Sequence, residues 1–496
     1  MINFAFNNKG FLLGLTLAII VLILPNPEGL SVEAQRTAAI FLLMGTWWAT
    51  EAVPVAVTAF VPLAIFPMLG VVDIQEAANP YANKIVFLFL GGFLLATAIQ
   101  KWDLHKRIAL LVLNNAGSKG SSLILGFMIT AAVISMWVMN TATTIMLLPI
   151  GLAVITVVKE TVKDTSTQEL NSFQLALLLG IAYGATIGGM STLIGTGPNG
   201  MLAAFMADNY DLDISFIDWM KVGVPLSCVM LPGCWFILTK VIFKVNFETS
   251  SATKDLLINM KNELGNLSSN EMKVLIVFVL TALAWMLRTL LDDFSLLSGL
   301  SDAGIAMIAS LALFLIPSGN KETKGSLLDW KDAQENVPWG LLVLFGGGLS
   351  LANAVQTTGL AIWIGNLLPE GISLVLLVVL TVTMILFLTE LTSNLATTAT
   401  FLPVVAAVAI QSDFNPILLT AAVGLAASCA FMLPVATPPN AIVFGSGLIR
   451  VPEMARAGFL VNILGILIVS FVSVVLVPYF LLYSPIEAAP GLLVSD

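Results

Sequence analysis

Four apolar runs in this 496-residue chain are broken midway by polar or Gly/Pro-rich residues, and these breaks constrain the fold more than any other feature. Apolar runs recur at about 11–24, 37–50, 52–70, 85–100, 122–158, 174–206, 222–243, 272–291, 304–317, 339–356, 371–410, 416–449 and 458–482. A helix needs about 20 apolar residues to cross the hydrocarbon core. Runs 122–158 and 371–410 are too long for one crossing, and they are interrupted at Asn140-Thr141-Ala142-Thr143-Thr144 and at Thr392-Ser393-Asn394-Leu395-Ala396-Thr397-Thr398. Runs 174–206 and 416–449 break at Gly195-Thr196-Gly197-Pro198-Asn199 and Ala436-Thr437-Pro438-Pro439-Asn440. Non-helical backbone at membrane depth survives only where protein buries it or it lines a cavity. The breaks therefore read as two re-entrant hairpins and two broken helices around a polar site. Taken singly, each could also be a tight exposed loop between two full crossings.

Composition narrows the class. Hydrophobic residues make up 58% of the chain and charged residues 10%, against about 25% charged in soluble domains. That excludes an ordinary soluble enzyme, a disordered chain and a nucleic-acid binder. Cys228, Cys234 and Cys429 are too few for a disulfide framework or a zinc site. One histidine, His105, leaves a His-based metal centre or a Ser-His-Asp triad without material. The reading is an all-α polytopic membrane protein, one domain over 1–496, and not an enzyme. Run 11–24 lacks a basic flank and a cleavage site, so it is expected to stay in the mature chain. Segment 244–271 reads as a surface helix and loop.

A repeat gives the breaks a common logic. Gly91-Gly92-Phe93-Leu94-Leu95-Ala96 up to Gln100 matches Gly347-Gly348-Leu349-Ser350-Leu351-Ala352 up to Gln356. Asn140-Thr141-Ala142-Thr143-Thr144 with Pro149 matches Asn394-Leu395-Ala396-Thr397-Thr398 with Pro403, and Thr196-Gly197-Pro198-Asn199 matches Thr437-Pro438-Pro439-Asn440. The copies span 85–206 and 339–449. Residues 101–121 carry Lys101, Lys106, Arg107 and Lys119, whereas 357–377 carry no Lys or Arg. By the positive-inside rule the first of these ends is cytoplasmic and the second external, so the copies are inverted. Of the 21 basic residues, only Arg36, Lys84, Lys221 and Arg288 then fall outside. The N-terminus comes out cytoplasmic and the C-terminus external, as expected for a cell (inner) membrane protein. Inverted repeats with paired broken helices point to a secondary transporter with a site near the midplane.

The breaks also suggest the chemistry. Half-helix N-termini suit an anion, while half-helix C-termini, unwound carbonyls and Asn, Ser or Thr oxygens suit a hard cation such as Na⁺. No Lys or Arg stands at any break, so a co-bound cation is a sensible partner for an anionic substrate. Asn140 and Asn394 singly could be helix–helix hydrogen-bonding residues; as a matched pair they read as ligands. A membrane-embedded enzyme would need a catalytic dyad or metal set that the runs lack. A channel would need a continuous polar or charged pore.

The two Asn-centred tips, the Thr-x-Pro-Asn motifs and Trp47-Trp48-Ala49-Thr50-Glu51-Ala52-Val53-Pro54 resemble the divalent-anion/sodium symporter family, the INDY-type dicarboxylate transporters, over about 37–480. The resemblance implies about eleven transmembrane helices plus two hairpins, a homodimer in the lipid bilayer, elevator-type movement, and Na⁺-coupled symport of a small di- or tricarboxylate. Exchange of carboxylates without net Na⁺ movement is the close variant. By the same resemblance Asn140, Thr141, Thr196, Ser393, Asn394 and Thr437 inherit substrate contact. Ser135, Asn140 and Gly188 inherit one Na⁺ site, and Thr389, Thr392, Asn394 and Ala436 the other. Two positions depart from the family's Ser-Asn-Thr tips: Met139 replaces Ser and Leu395 replaces Thr, each adding apolar bulk beside the anion. Glu390 is expected to make a structural hydrogen bond near its tip, Glu51 to cap a cytoplasmic helix end, and His105 to sit solvated at the interface.

Overall fold

The computed structural model describes residues 9–292, 297, 299–319, 325–367 and 371–482. Both chain ends, whose sides the charge reading assigns, lie outside the described residues, as do Lys321 and Lys324. The described residues are nearly all helical and form no sheet. Among the described residues eight helical segments are long and apolar enough to cross a membrane, the longest being Val451–Leu482.

Two helices, α1 (Lys9–Ile23) and α2 (Val32–Thr50), lead the chain. They pack through Gly10 and Gly14, where a Cβ would strike Thr50 and Trp47, and Phe11 stacks on Trp47 with ring centroids 5.1 Å apart. The region of the first sequence copy folds into α3 (Lys84–Lys101), α4 (Leu104–Leu113), α5 (Gly120–Ser135), α6 (Asn140–Thr161), α7 (Thr167–Gly189) and α8 (Gly197–Tyr210). Next come α9 (Phe216–Phe236), α10 (Ser269–Met286) and α11 (Asp302–Leu315), with the polar connection forming the surface helix Ser251–Glu263. The region of the second copy folds into α12 (Trp339–Thr357), α13 (Leu360–Gly365), α14 (Leu374–Thr389), α15 (Asn394–Gln411), α16 (Pro416–Ala427) and α17 (Pro438–Phe444), and α18 (Val451–Phe471) follows.

The first arm of each tip is short, whereas the second arms, α6 and α15, have 22 and 18 residues. Helices α5 and α14 have 16 residues each. At 1.5 Å per residue each is about 24 Å long, short of a core of about 30 Å. Helices α8 and α16, with 14 and 12 residues, are shorter still.

The breaks lie slightly N-terminal of the polar motifs that announce them. Chain reversals occupy Met136–Met139 and Glu390–Ser393, and Asn140 and Asn394 open the next helix instead of lying in the turn. Likewise α8 and α17 begin inside the Gly/Pro motifs, with Pro198 and Pro438 in their first turns. The reason is the N–H that proline lacks, which the first turn of a helix does not need. These prolines start helices rather than end them.

A glycine stripe holds the first hairpin in place. Gly180, Gly184 and Gly188 recur every fourth residue on α7 and face α5: a Cβ at Gly184 would lie 2.8 Å from Met128 O, and one at Gly188 would enter the Ala132 backbone. Small residues at this spacing let helix backbones touch, which is how helices associate in lipid.

Candidate functional site

The first tip is built from α5, α6 and the α7–α8 break. Ser135 Oγ donates to Asn140 Oδ1 at 2.7 Å across the reversal. Gly189, at the end of α7, presses on that amide: a Cβ there would lie 2.5 Å from Asn140 Oδ1. Thr192 Oγ1 donates to Met136 O at 2.6 Å and accepts from Gly195 N at 3.1 Å, tying the broken helix to the tip. Asn199, fully buried, fastens the break from the other side through Nδ2 to Thr192 O at 2.8 Å.

The second tip repeats the pattern. Thr389 Oγ1 donates to Asn394 Oδ1 at 2.8 Å and also lies 3.0 Å from Ala427 O. Thr392 turns back into its own hairpin, 2.6 Å from Thr397 Oγ1 and 3.1 Å from Leu388 O. Asn440, the counterpart of Asn199, donates to Leu433 O at 3.0 Å and Ala430 O at 3.2 Å. The Oδ1 atoms of Asn199 and Asn440 are buried without a hydrogen-bond partner.

Glu390 makes the structural contact expected of it, on a larger scale. Its carboxylate accepts from the consecutive amides of Phe431, Met432 and Leu433 at 2.8–3.1 Å, and from Asn462 Nδ2 of α18 at 2.7 Å. A buried carboxylate is costly unless its lone pairs are filled; here five contacts fill them, and in return they shape the α16–α17 break.

Between the tips lies a cavity of about 440 Å³. Met139, Asn140, Thr141, Thr196, Ser393, Asn394, Leu395, Ala436 and Thr437 all line it. Four helices, α6, α8, α15 and α17, begin at this wall. The starts of α6, α8 and α15 present unpaired N–H groups, and a helix dipole amounts to about half a positive charge at its N-terminus; α17 opens on Pro438 and Pro439, which have no N–H, and its Asn440 N–H is taken by Thr437 Oγ1. Ser135 and Thr389 sit just behind the wall, bonded to the two asparagines, and Gly188 lies against Ala132. Thus the starts of α6, α8 and α15 offer N–H groups to the cavity, while the tips and breaks offer neutral oxygens. Among the described residues no cluster of three or more His, Cys, Asp and Glu could hold a metal; the oxygens at the tips and breaks are neutral and suit a hard ion.

The two departures are placed differently. Met139 is half-buried, whereas Leu395 is 6% exposed and its Cδ1 lies 3.0 Å from where a Gly197 Cβ would stand. Sequence reasoning missed the apolar wall of Phe89, Phe93, Ile194, Leu341 and Val435. It could not have been read from the apolar runs, where each of these residues resembles any core residue.

Glu51 caps its helix as expected, whereas His105 corrects the sequence reading. Glu51 does end α2, but the cap is its backbone, in the left-handed region at φ 47° with N–H to Trp47 O; its side chain lines the cavity. His105 is 6% exposed rather than solvated, with Nδ1 3.2 Å from Ile99 O. Its basic neighbours turn elsewhere, Lys106 to Asp103 and Arg107 to Glu271.

A polytopic helical chain with a polar cavity between two helix-turn-helix tips has the architecture of a membrane transporter. The chain belongs to the sodium:sulfate symporter family, whose transmembrane-region model matches residues 7–481. It is 42% identical over 473 residues to a sodium-dependent dicarboxylate transporter of Staphylococcus saprophyticus, covering 95% of this chain and 91% of that one. It is 40% identical to a protein of the same name from Staphylococcus aureus, at the same coverage. Two solved structures share the fold at a TM-score of 0.52. The YdaH transporter of Alcanivorax borkumensis is 13% identical, with 81% of this chain and 86% of that chain covered. MtrF of Neisseria gonorrhoeae is 12% identical, with 93% and 94% covered.

Proposed function

We propose that the chain is a secondary transporter that carries a small dicarboxylate into the cell together with Na⁺. One observation carries the reading most: two asparagine tips and four helix starts meet at one cavity whose wall has no Lys or Arg. Carboxylates would lie on the N–H groups of the helix starts and on Asn140, Thr141, Ser393, Asn394, Thr196 and Thr437. One Na⁺ would take oxygens of Ser135, Asn140 and Gly188, and another those of Thr389, Thr392, Asn394 and Ala436. Because Asn140 and Asn394 belong to both sets, cation and anion would each stabilise the other's site, which couples their binding. The names of the staphylococcal relatives, sodium-dependent dicarboxylate transporter, support both substrate and ion.

The copies at 85–206 and 339–449 would lie inverted in the membrane, with the N-terminus cytoplasmic and the C-terminus external. Alternation would be an elevator-type movement in a homodimer, as the family resemblance implies. A cysteine near Lys106 should then label only from the cytoplasm and one near Thr357 only from outside; labelling of both from one side would remove the inverted arrangement. Uptake into proteoliposomes over a panel of C3 to C6 carboxylates, in Na⁺ and in choline, tests the substrate. Counterflow without Na⁺ dependence would favour the exchanger instead.

A further inference from the structure

Among the described residues Glu51 contributes the cavity's only carboxylate, and none of them neutralises it. Every other residue at the wall is neutral, and among the described residues the exposed Glu51 side chain makes no ion pair or hydrogen bond. Its setting is electrostatically unfavourable. It stands at the C-terminal end of α2, where the helix dipole is itself negative. It also occupies a left-handed backbone conformation that favours glycine. The turn is braced on both sides: Ala52 N donates to Trp47 O at 3.2 Å, and Trp48 Nε1 donates to Val55 O at 3.1 Å beyond Pro54. The braced turn therefore places an exposed carboxylate, unpaired among the described residues, at a cavity otherwise lined by neutral groups.

We propose that Glu51 determines charge selectivity: it weakens the hold on a second negative charge of the substrate and so keeps dianion binding loose enough for release. The inference rests on the anion-site reading above. Charges sharing a wet cavity repel at the level of roughly threefold to tenfold in affinity, and the effect fades as salt screens it. An anion bearing one charge, held at the helix starts, would leave its neutral end toward Glu51 and escape most of this repulsion.

The test compares succinate with succinamate, a monoanion of the same length, by isothermal titration of the detergent-purified full chain in Na⁺. Glu51→Gln should tighten succinate about threefold to tenfold and leave succinamate within twofold, with the gain shrinking in added choline chloride. Glu51→Gly, which removes the charge and suits the positive φ, should reproduce the gain and guards against a folding artefact in the first variant. Equal effects on both ligands, no effect, or weaker succinate binding in both variants would overturn the proposal. If wild-type protein binds neither ligand while Na⁺ still stabilises it, the anion-site reading itself falls, and this inference with it.

Discussion

Ser135 and Asn140 face each other across the first reversal at 2.7 Å, hydroxyl to amide oxygen, and Thr389 and Asn394 do the same across the second at 2.8 Å. A hydroxyl that donates to Oδ1 leaves the Asn Nδ2 free to turn toward an anion, and its own lone pairs remain for a cation. The two pairs sit at matching places in the sequence copies, so the hydroxyl–asparagine contacts are equivalent although the hydroxyl residues differ.

Ser135→Ala and Thr389→Ala should each weaken Na⁺ binding. A buried amide that loses its partner costs about 1–3 kcal/mol, which is roughly fivefold to a hundredfold in apparent Na⁺ affinity. The midpoint of thermal stabilisation against Na⁺ concentration reads this directly. Conservative Thr389→Ser should retain wild-type affinity, and equal loss in Ser and Ala variants would make the contact a matter of packing.

Met139→Ser should strengthen succinate binding. The variant adds a hydroxyl beside the anion, and a hydrogen bond to a charged group is worth about 1.5–3 kcal/mol, or tenfold and more. Leu395→Thr should add to the gain but lower the stability of the unliganded protein, because Leu395 is buried and packs over Gly197. Full truncation of a buried Leu costs about 2–5 kcal/mol, and Thr fills part of that space. Succinate titrations of the single and double variants decide the matter. If neither variant gains affinity, backbone groups recognise the substrate and these side chains only fill space.

Glu390→Gln should unfold at a lower temperature than wild type. The amide can accept from some of the Phe431, Met432 and Leu433 N–H groups but offers a donor where the carboxylate has its second oxygen. Each buried N–H left without an acceptor costs about 1–3 kcal/mol. Thermal unfolding in the absence of substrate measures it. An unchanged midpoint together with an altered pH profile of uptake would instead make Glu390 a proton-sensitive element.

The sequence made some features legible and hid others, for physical reasons. The breaks were readable because polar residues inside lipid-length apolar runs have few permitted explanations. Their edges were not, since Asn140, Asn394, Pro198 and Pro438 are as compatible with a helix start as with a loop, and the structure shows helix starts. The neutral polar residues that line the cavity fall in the two pairs of matched breaks, so pattern alone gathered them, whereas Glu51 lies outside both. Phe89, Phe93 and Leu341 come from helices whose apolar residues all look alike in sequence, and only packing selects the few that reach the cavity. The burial of His105 was hidden by Lys106 and Arg107, because charges next in sequence point to other faces of the helix.

Accumulation of succinate against an imposed Na⁺ gradient tests the central claim most directly. Proteoliposomes holding wild-type protein should concentrate succinate when Na⁺ is high outside and lose that ability in choline. Asn140→Ala and Asn394→Ala proteins should reconstitute equally well and accumulate none, because an ordinary interhelical hydrogen bond averages only about 0.6 kcal/mol and its loss would not stop transport. Wild-type accumulation that persists in choline, or wild-type rates in both asparagine variants, would contradict a Na⁺-coupled anion site at these tips.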